Sequence, residues 1–169
     1  MLHLSTEISD DWWEVEALYD LCFAPGREAL SSYRLRDDVS PVSALCVLAR
    51  DDDGILGAAI RYWPVLIGAR RVLLLGPVAV HPTRQGEGLG GFVMRESLER
   101  ARELGWERVM LVGDEPYYRR FGFQRLHGVQ MPPPTNPDRV LGLNLADDGW
   151  LGLCGTVTSS LGRTLPPDS

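Results

Sequence analysis

Gln85, Gly86, Gly88, Gly90 and Gly91 stand directly after an apolar run that ends Val78-Ala79-Val80-His81-Pro82. That order reads as a strand, a turn and a glycine-rich helix start. The first amides of a helix have no intrahelical partner and the helix dipole is positive there, so such a start attracts anions. Glycine adds close access to the backbone. The chemistry implied is the holding of a phosphorylated cofactor at the helix N-terminus. The competing reading is that the glycines only permit tight strand–helix packing. The run lacks the Gly-Lys-Ser/Thr ending of a P-loop, and it is read as Gln85-x-x-Gly88-x-Gly90 rather than as a dinucleotide-binding turn.

A second pattern lies downstream, Tyr117-Tyr118-Arg119-Arg120-Phe121-Gly122-Phe123. Together with Gln85-x-x-Gly88-x-Gly90, it resembles the GNAT-type N-acetyltransferases. The first pattern is similar to that family's acetyl-coenzyme A motif, the second to its Tyr-x-x-x-Gly-Phe signature. The resemblance covers roughly Ala44 to Phe123. It implies acetyl-CoA as co-substrate, with no metal, and a splayed, mostly antiparallel central sheet with helices on both faces and the cofactor wedged at the splay.

Coenzyme A carries a pyrophosphate, a 3′-phosphate and a pantetheine arm with two amides. Backbone amides from Gly86, Glu87, Gly88, Leu89, Gly90 and Gly91 are expected to hold the pyrophosphate. The pantetheine amides need an exposed strand edge. Gly76-Pro77 inside the apolar run supplies a reason for one, because proline cannot donate to a ladder and glycine marks bulges. Val78, Ala79 and Val80 are then expected to pair with the arm. Glu87 stands where many family members carry a basic residue. An acid there is unfavourable unless it points away, and Arg84 is the nearest compensating charge, expected to meet the pyrophosphate or the 3′-phosphate in its place.

Acetyl transfer to an amine expels a thiolate, which a nearby hydroxyl can protonate. The resemblance puts Tyr118 in that role. Tyr117 is its geometric competitor, and a core position is the plain structural alternative for an isolated tyrosine. A backbone N–H near Val78 or Ala79 is a candidate for holding the oxyanion. No acid occurs in Leu73–Pro77 to act as base. Asp114 reads as a helix N-cap, His81 as a structural turn residue, and no base is assigned.

These groups need a scaffold. The chain has 169 residues, 44% hydrophobic and 24% charged, which fits one domain over 1–169 with a full core. Its net charge is −6, which disfavours nucleic-acid binding. Cys22, Cys46 and Cys154 are dispersed and odd in number, which suggests buried thiols in a reducing compartment. No run spans a bilayer and the N-terminus does not read as a signal peptide, so a cytoplasmic location is expected.

The expected order of elements is a short strand at Leu2–Leu4, a helix from Trp12 to Cys22 ended by Pro25-Gly26, and a second, short helix over Glu28–Asp38 that stops before Pro41. Strands follow at Ala44–Ala49 and Ile55–Trp63 across the Asp-Gly turn, then Arg70–Val80. The long helix spans Gly88 to Leu104, with Leu89, Phe92, Val93, Ala101 and Leu104 as its apolar stripe. A strand at Arg108–Val112, a helix at Pro116–Phe121 and a last strand at Val140–Leu145 complete it, with a frayed tail from Arg163. Trp12, Trp13, Trp63, Trp106 and Trp150 read more readily as core or loop anchors than as an acceptor pocket.

Two functions follow. The first is an N-acetyltransferase acting on a primary amine of a small molecule or peptide. The alternative is a non-catalytic acyl-CoA-binding regulatory module. The acceptor is expected to meet the variable segments Trp12–Pro41 and His127–Asp138. A homodimer is compatible with the sequence but not indicated by it.

Overall fold

The computed structural model describes residues 2–23 and 31–160. Among these residues nine strands form the sheet system: β1 (His3–Thr6), β2 (Val47–Arg50), β3 (Leu56–Ile67), β4 (Arg70–Val80), β5 (Arg108–Val112), β6 (Gln124–Arg125), β7 (Val129–Gln130), β8 (Val140–Asn144) and β9 (Gly155–Ser159). The helices are α1 (Trp12–Cys22), α2 (Ser31–Arg34), α3 (Leu89–Glu103) and α4 (Glu115–Tyr118). The main sheet runs β1-β2-β3-β4-β5-β8-β6, with β9 joining the far half of β3 and pairing β7. Among the described residues, β4–β5 and β7–β9 are the parallel pairs. The mixed, mostly antiparallel sheet expected from the sequence is therefore present.

Alternation along β3 and β4 sends side chains to both faces, and each face has its helix. Leu89, Val93, Leu98 and Ala101 of α3 pack on Ile60, Tyr62, Leu73 and Val109. Val15, Leu18 and Tyr19 of α1 pack on Leu48, Ala59 and Ala79 of the other face. At roughly 25 cal/mol per Å² of apolar area, this burial dominates the stabilisation. Asp51 builds the β2–β3 turn, its Oδ1 accepting from the amides of Asp53 and Ile55, and Gly54 takes φ +79°.

Several expectations need correction. Phe92 and Leu104 of the proposed α3 stripe are 43% and 56% exposed; Met94 and Ser97 are buried instead. The register of a helix stripe depends on which partner it meets, which spacing alone does not give. Residues 43–45 form a 3-10 turn, so the strand begins at Val47. The next strand does not stop before Pro64 but runs to Ile67, because Pro64–Ile67 pair Arg70–Leu73 of β4 and Val65–Ile67 also pair β9. Val140–Asn144 is not the last strand, because β9 follows. Trp13 is 78% exposed and Trp12 43%, so neither anchors the core. Cys154 is exposed and Cys22 is half-buried, leaving Cys46 as the buried thiol. The Pro25-Gly26 stop, the start of the Glu28–Asp38 helix and the Arg163 tail lie outside the described residues. Among the described residues, no helix is long and apolar enough to cross a membrane.

Candidate active site

The site begins with an irregularity in β4. Ile60 pairs Val78 and Tyr62 pairs Leu75, so Arg61 alone faces two residues, Gly76 and Pro77. This is a β-bulge, placed where proline has no amide to give and where Gly76 holds φ +128°. On the other edge, β5 pairs β4 only at Leu73–Val109 and Leu74–Met110. Beyond those two pairs the ladder stops, and the far end of β4 borders a cleft through Val80.

The edge facing this cleft carries free backbone groups. His81 N donates to Gly57 O at 2.8 Å, and in an antiparallel ladder hydrogen-bonded pairs alternate with non-bonded ones. Ala79 therefore exchanges bonds with Ala59, while the N–H and C=O of Val78 and Val80 point away from β3. The Val80 carbonyl is taken by the Gln85 side-chain amide at 3.0 Å and the Cys22 thiol at 3.3 Å. What remains along the cleft is the N–H and C=O of Val78 and the N–H of Val80. Of the two amides considered for an oxyanion, Val78 faces the cleft and Ala79 does not.

The start of α3 lies beside that edge. Gly86 and Gly88 hold φ +86° and +80°, a region costly for other residues, and Gly88 is the N-cap. A Cβ on Gly90 would come within 3.3 Å of Val80 Cγ2 and 3.4 Å of the Tyr117 hydroxyl. A cavity of about 370 Å³ opens over this turn, walled by Val80, Gln85, Gly86, Gly88, Gly90 and Gly91. Leu89 also borders it, but its side chain is buried against the Gly57 backbone.

Charge around the turn is arranged differently from the simplest expectation. Glu87 turns to Arg84, whose Nε donates to both carboxylate oxygens at 3.0 Å. Arg84 also reaches Asp51 at 3.3 Å. Its guanidinium is thus shared between two carboxylates, and Glu87 is absent from the cavity wall. The sequence reading missed Arg95 and Arg120, which border the same cavity. Arg95 lies one helical turn after Gly91, a spacing that could have found it; the Arg95 guanidinium would meet a Cβ on Gly91 at 3.1 Å. Arg120 stacks 4.4 Å over the Tyr117 ring and donates to the Tyr117 carbonyl.

The two tyrosines separate by environment. Tyr117 borders the cavity. Tyr118 packs edge-on to Phe123, with ring centroids 6.1 Å apart, and lies against Gly113, where a Cβ would meet its Cε2 at 2.6 Å. Burial raises the Tyr118 phenol to about 12, with the Tyr117 phenol adding to the effect. It is therefore protonated, and able to donate, throughout the neutral range. Asp114 occupies the N-cap of α4 but makes no side-chain cap hydrogen bond. His81 accepts from the Thr83 amide, which fits its reading as a turn residue.

Gly86, Gly88 and Gly91 also fall at the G-x-G-x-x-G spacing of dinucleotide-binding turns, so spacing alone does not exclude that reading. The sheet does: β4 sits in an antiparallel frame and meets β5 over two pairs only, unlike a doubly wound parallel sheet. Residues 12–123 match the family model described as the acetyltransferase (GNAT) family. The chain belongs to the GNAT acetyltransferase family. It is an acyltransferase of that family by this membership. It is 29% identical over 158 residues to the uncharacterized N-acetyltransferase YhbS of Escherichia coli strain K12, covering 91% of this chain and 93% of that protein. The crystal structure of YhbS from Escherichia coli in complex with CoA superposes with a TM-score of 0.81 at 28% identity, covering 94% of this chain and 89% of that one. A GNAT family acetyltransferase from Brucella melitensis in complex with acetyl-CoA gives 0.62 at 32% identity, over 80% and 94%.

Proposed function

We propose that this GNAT acetyltransferase moves an acetyl group from acetyl-CoA to a primary amine of a small molecule or peptide, by direct attack on the thioester. One observation carries the reading: the unpaired β4 edge at Val78 and Val80 lies beside the open N-terminus of α3. An extended arm with two amides matches the first feature, and a pyrophosphate matches the second. The CoA-bound and acetyl-CoA-bound relatives support the same assignment.

In this reading the amides from Gly86 to Gly91 hold the pyrophosphate, while Arg95 and Arg120 lend it positive charge. The pantetheine arm pairs with Val78 and Val80. The amine lone pair attacks the thioester carbon, a C–N bond forms, and the oxyanion faces the Val78 amide. Collapse breaks the C–S bond. Tyr118 gives its proton to the departing sulfur and recovers one from solvent as the attacking nitrogen loses its own. A hydroxyl aimed at a charge that exists mainly in the transition state accelerates the reaction without tightening ground-state binding.

The test combines ligand-induced stabilisation with turnover. Acetyl-CoA and CoA should raise Tm by several degrees, and NAD and ATP should not. CoA release should then appear with members of a primary-amine panel. A larger shift with ATP would refute the cofactor assignment, and binding without release across a broad panel would refute the catalytic one.

A further inference from the structure

Four buried side-chain polar atoms lack a partner among the described residues, and three of them share one place: Tyr33 Oη, Arg36 Nε and Arg36 Nη1. Arg36 is 8% exposed. Its guanidinium lies 4.0 Å over the Tyr33 ring and 5.4 Å from the Trp63 ring. Among the described residues no carboxylate pairs with it. Arg61, the cation nearby, has two carboxylates, Glu7 at 2.8 Å and Glu16 at 2.5 Å. Burial pulls the Arg36 pKa down to about 10, so it remains charged at neutral pH.

An unpaired buried charge with open donors costs several kcal/mol, and aromatic faces offset only part of that. A fold keeps such a group when something else completes it. The place is telling. A Cβ on Gly76 would lie 3.6 Å from Arg36 Nη2, so the guanidinium sits at the β4 bulge. Trp63 is fixed there too, its indole N–H donating to the Gly76 carbonyl at 2.8 Å. Val78, whose amide faces the cleft, is two residues along the same strand, roughly 7 Å away. Its neighbour Leu35 packs with Val65, Val72 and Leu74, the side chains of β3 and β4 that face away from α3. Arg34 donates to the Pro133 carbonyl at 2.6 Å, tying this segment to the 127–138 loop.

We infer that Arg36, with the Tyr33 hydroxyl, binds a carboxylate carried by the acceptor, so that the substrate is an amine that also bears a carboxylate group. This rests on the acetyl-transfer reading above. A carboxylate matches the guanidinium in planarity and neutralises its single charge. A phosphate dianion would leave a net negative charge buried at the same spot. Pairing at the bulge would hold one end of the acceptor while its amine reaches the thioester beside Val78.

The experiment titrates the CoA complex of the full chain with N-acetylated amino acids of varied side chain and, in parallel, with their carboxamides. One or more acids should bind, and the matched amides should bind about 10- to 100-fold more weakly, the worth of charge-assisted hydrogen bonds. Arg36→Met should erase that difference, keep CoA binding, and leave Tm of the ligand-free protein unchanged or raised, since it removes an unpaired buried charge. Arg36→Lys should restore part of the preference. Equal binding of acids and amides, no binding of any acid, or preferential binding of phosphoethanolamine would overturn the inference. So would a drop of many degrees in Tm for Arg36→Met, which would make the guanidinium structural. Failure of CoA itself to bind would instead refute the cofactor reading, so the two failures are separable.

Discussion

Arg84 donates from one nitrogen, Nε, to both carboxylate oxygens of Glu87, at 3.0 Å each. An acid beside the phosphate site proposed here is tolerable in this geometry because its charge is directed to Arg84 and away from the turn. The pair is partly exposed, so its own contribution to stability is small. Its effect is on the field at the start of α3.

Glu87→Gln should therefore strengthen CoA binding, by a factor below about tenfold, by releasing Arg84 and removing a negative charge near the phosphates. Calorimetric titration at low and high salt checks this. The gain should shrink as salt rises; an unchanged affinity at low salt would mean that Arg84 stays with Asp51.

Gly88→Val should eliminate CoA stabilisation while leaving the fold intact. A Cβ at Gly88 meets no atom within 4 Å, so the first carbon of a side chain has room there. Its cost is the positive φ, about 1–2 kcal/mol, and a branched side chain standing in the cavity. Circular dichroism should match the parent with a lower Tm. Wild-type CoA affinity in such a variant would move the pyrophosphate elsewhere.

Tyr118→Phe should lower kcat by about 10²–10⁴-fold with acetyl-CoA affinity nearly unchanged, if chemistry limits turnover. Tyr117→Phe should affect kcat little. A slowed Tyr117 variant beside a normal Tyr118 variant would reverse the assignment.

The raised Tyr118 phenol also predicts an effect on stability. Its folded pKa, about 12, lies above the unfolded value of 10.0, so its contribution is complete below pH 10 and is lost as pH rises through 12. Chemical denaturation across pH 10–12 should show a shallower alkaline loss in Tyr118→Phe than in the parent. Parallel curves would argue that the phenol is not perturbed.

Tyr62 and Ser97 form a buried hydroxyl pair at 2.8 Å, and Ser97 also donates toward the Val93 carbonyl at 2.6 Å. Ser97→Ala should cost about 1–3 kcal/mol because it leaves the Tyr62 hydroxyl alone in the core. Tyr62→Phe should cost less, since Ser97 keeps its bond to α3. Denaturant titration of both variants gives the order; equal costs would place the bond to Val93 below the pair in importance.

Much of the backbone geometry at the proposed cofactor site was legible in the chain before folding was considered. Gly86 and Gly88 sit at positive φ and Gly76-Pro77 interrupts a strand; these are local backbone properties that residue type dictates directly. The Asp51 turn and the strand–turn–helix order have the same origin. Burial was less legible. Phe92 and Leu104 fit a helical stripe, yet the sheet takes Met94 and Ser97, because a stripe's limits are set by the surface it meets. Only the tertiary structure decided that β5 leaves β4 after two pairs, that Glu87 turns to Arg84, and that Arg95 and Arg120 border the turn. Residues 33, 36, 63 and 76 share no local pattern. Their meeting at the bulge depends on chain segments brought together across the sheet, and on the absence of a carboxylate beside Arg36 among the described residues, which no spacing along the sequence encodes.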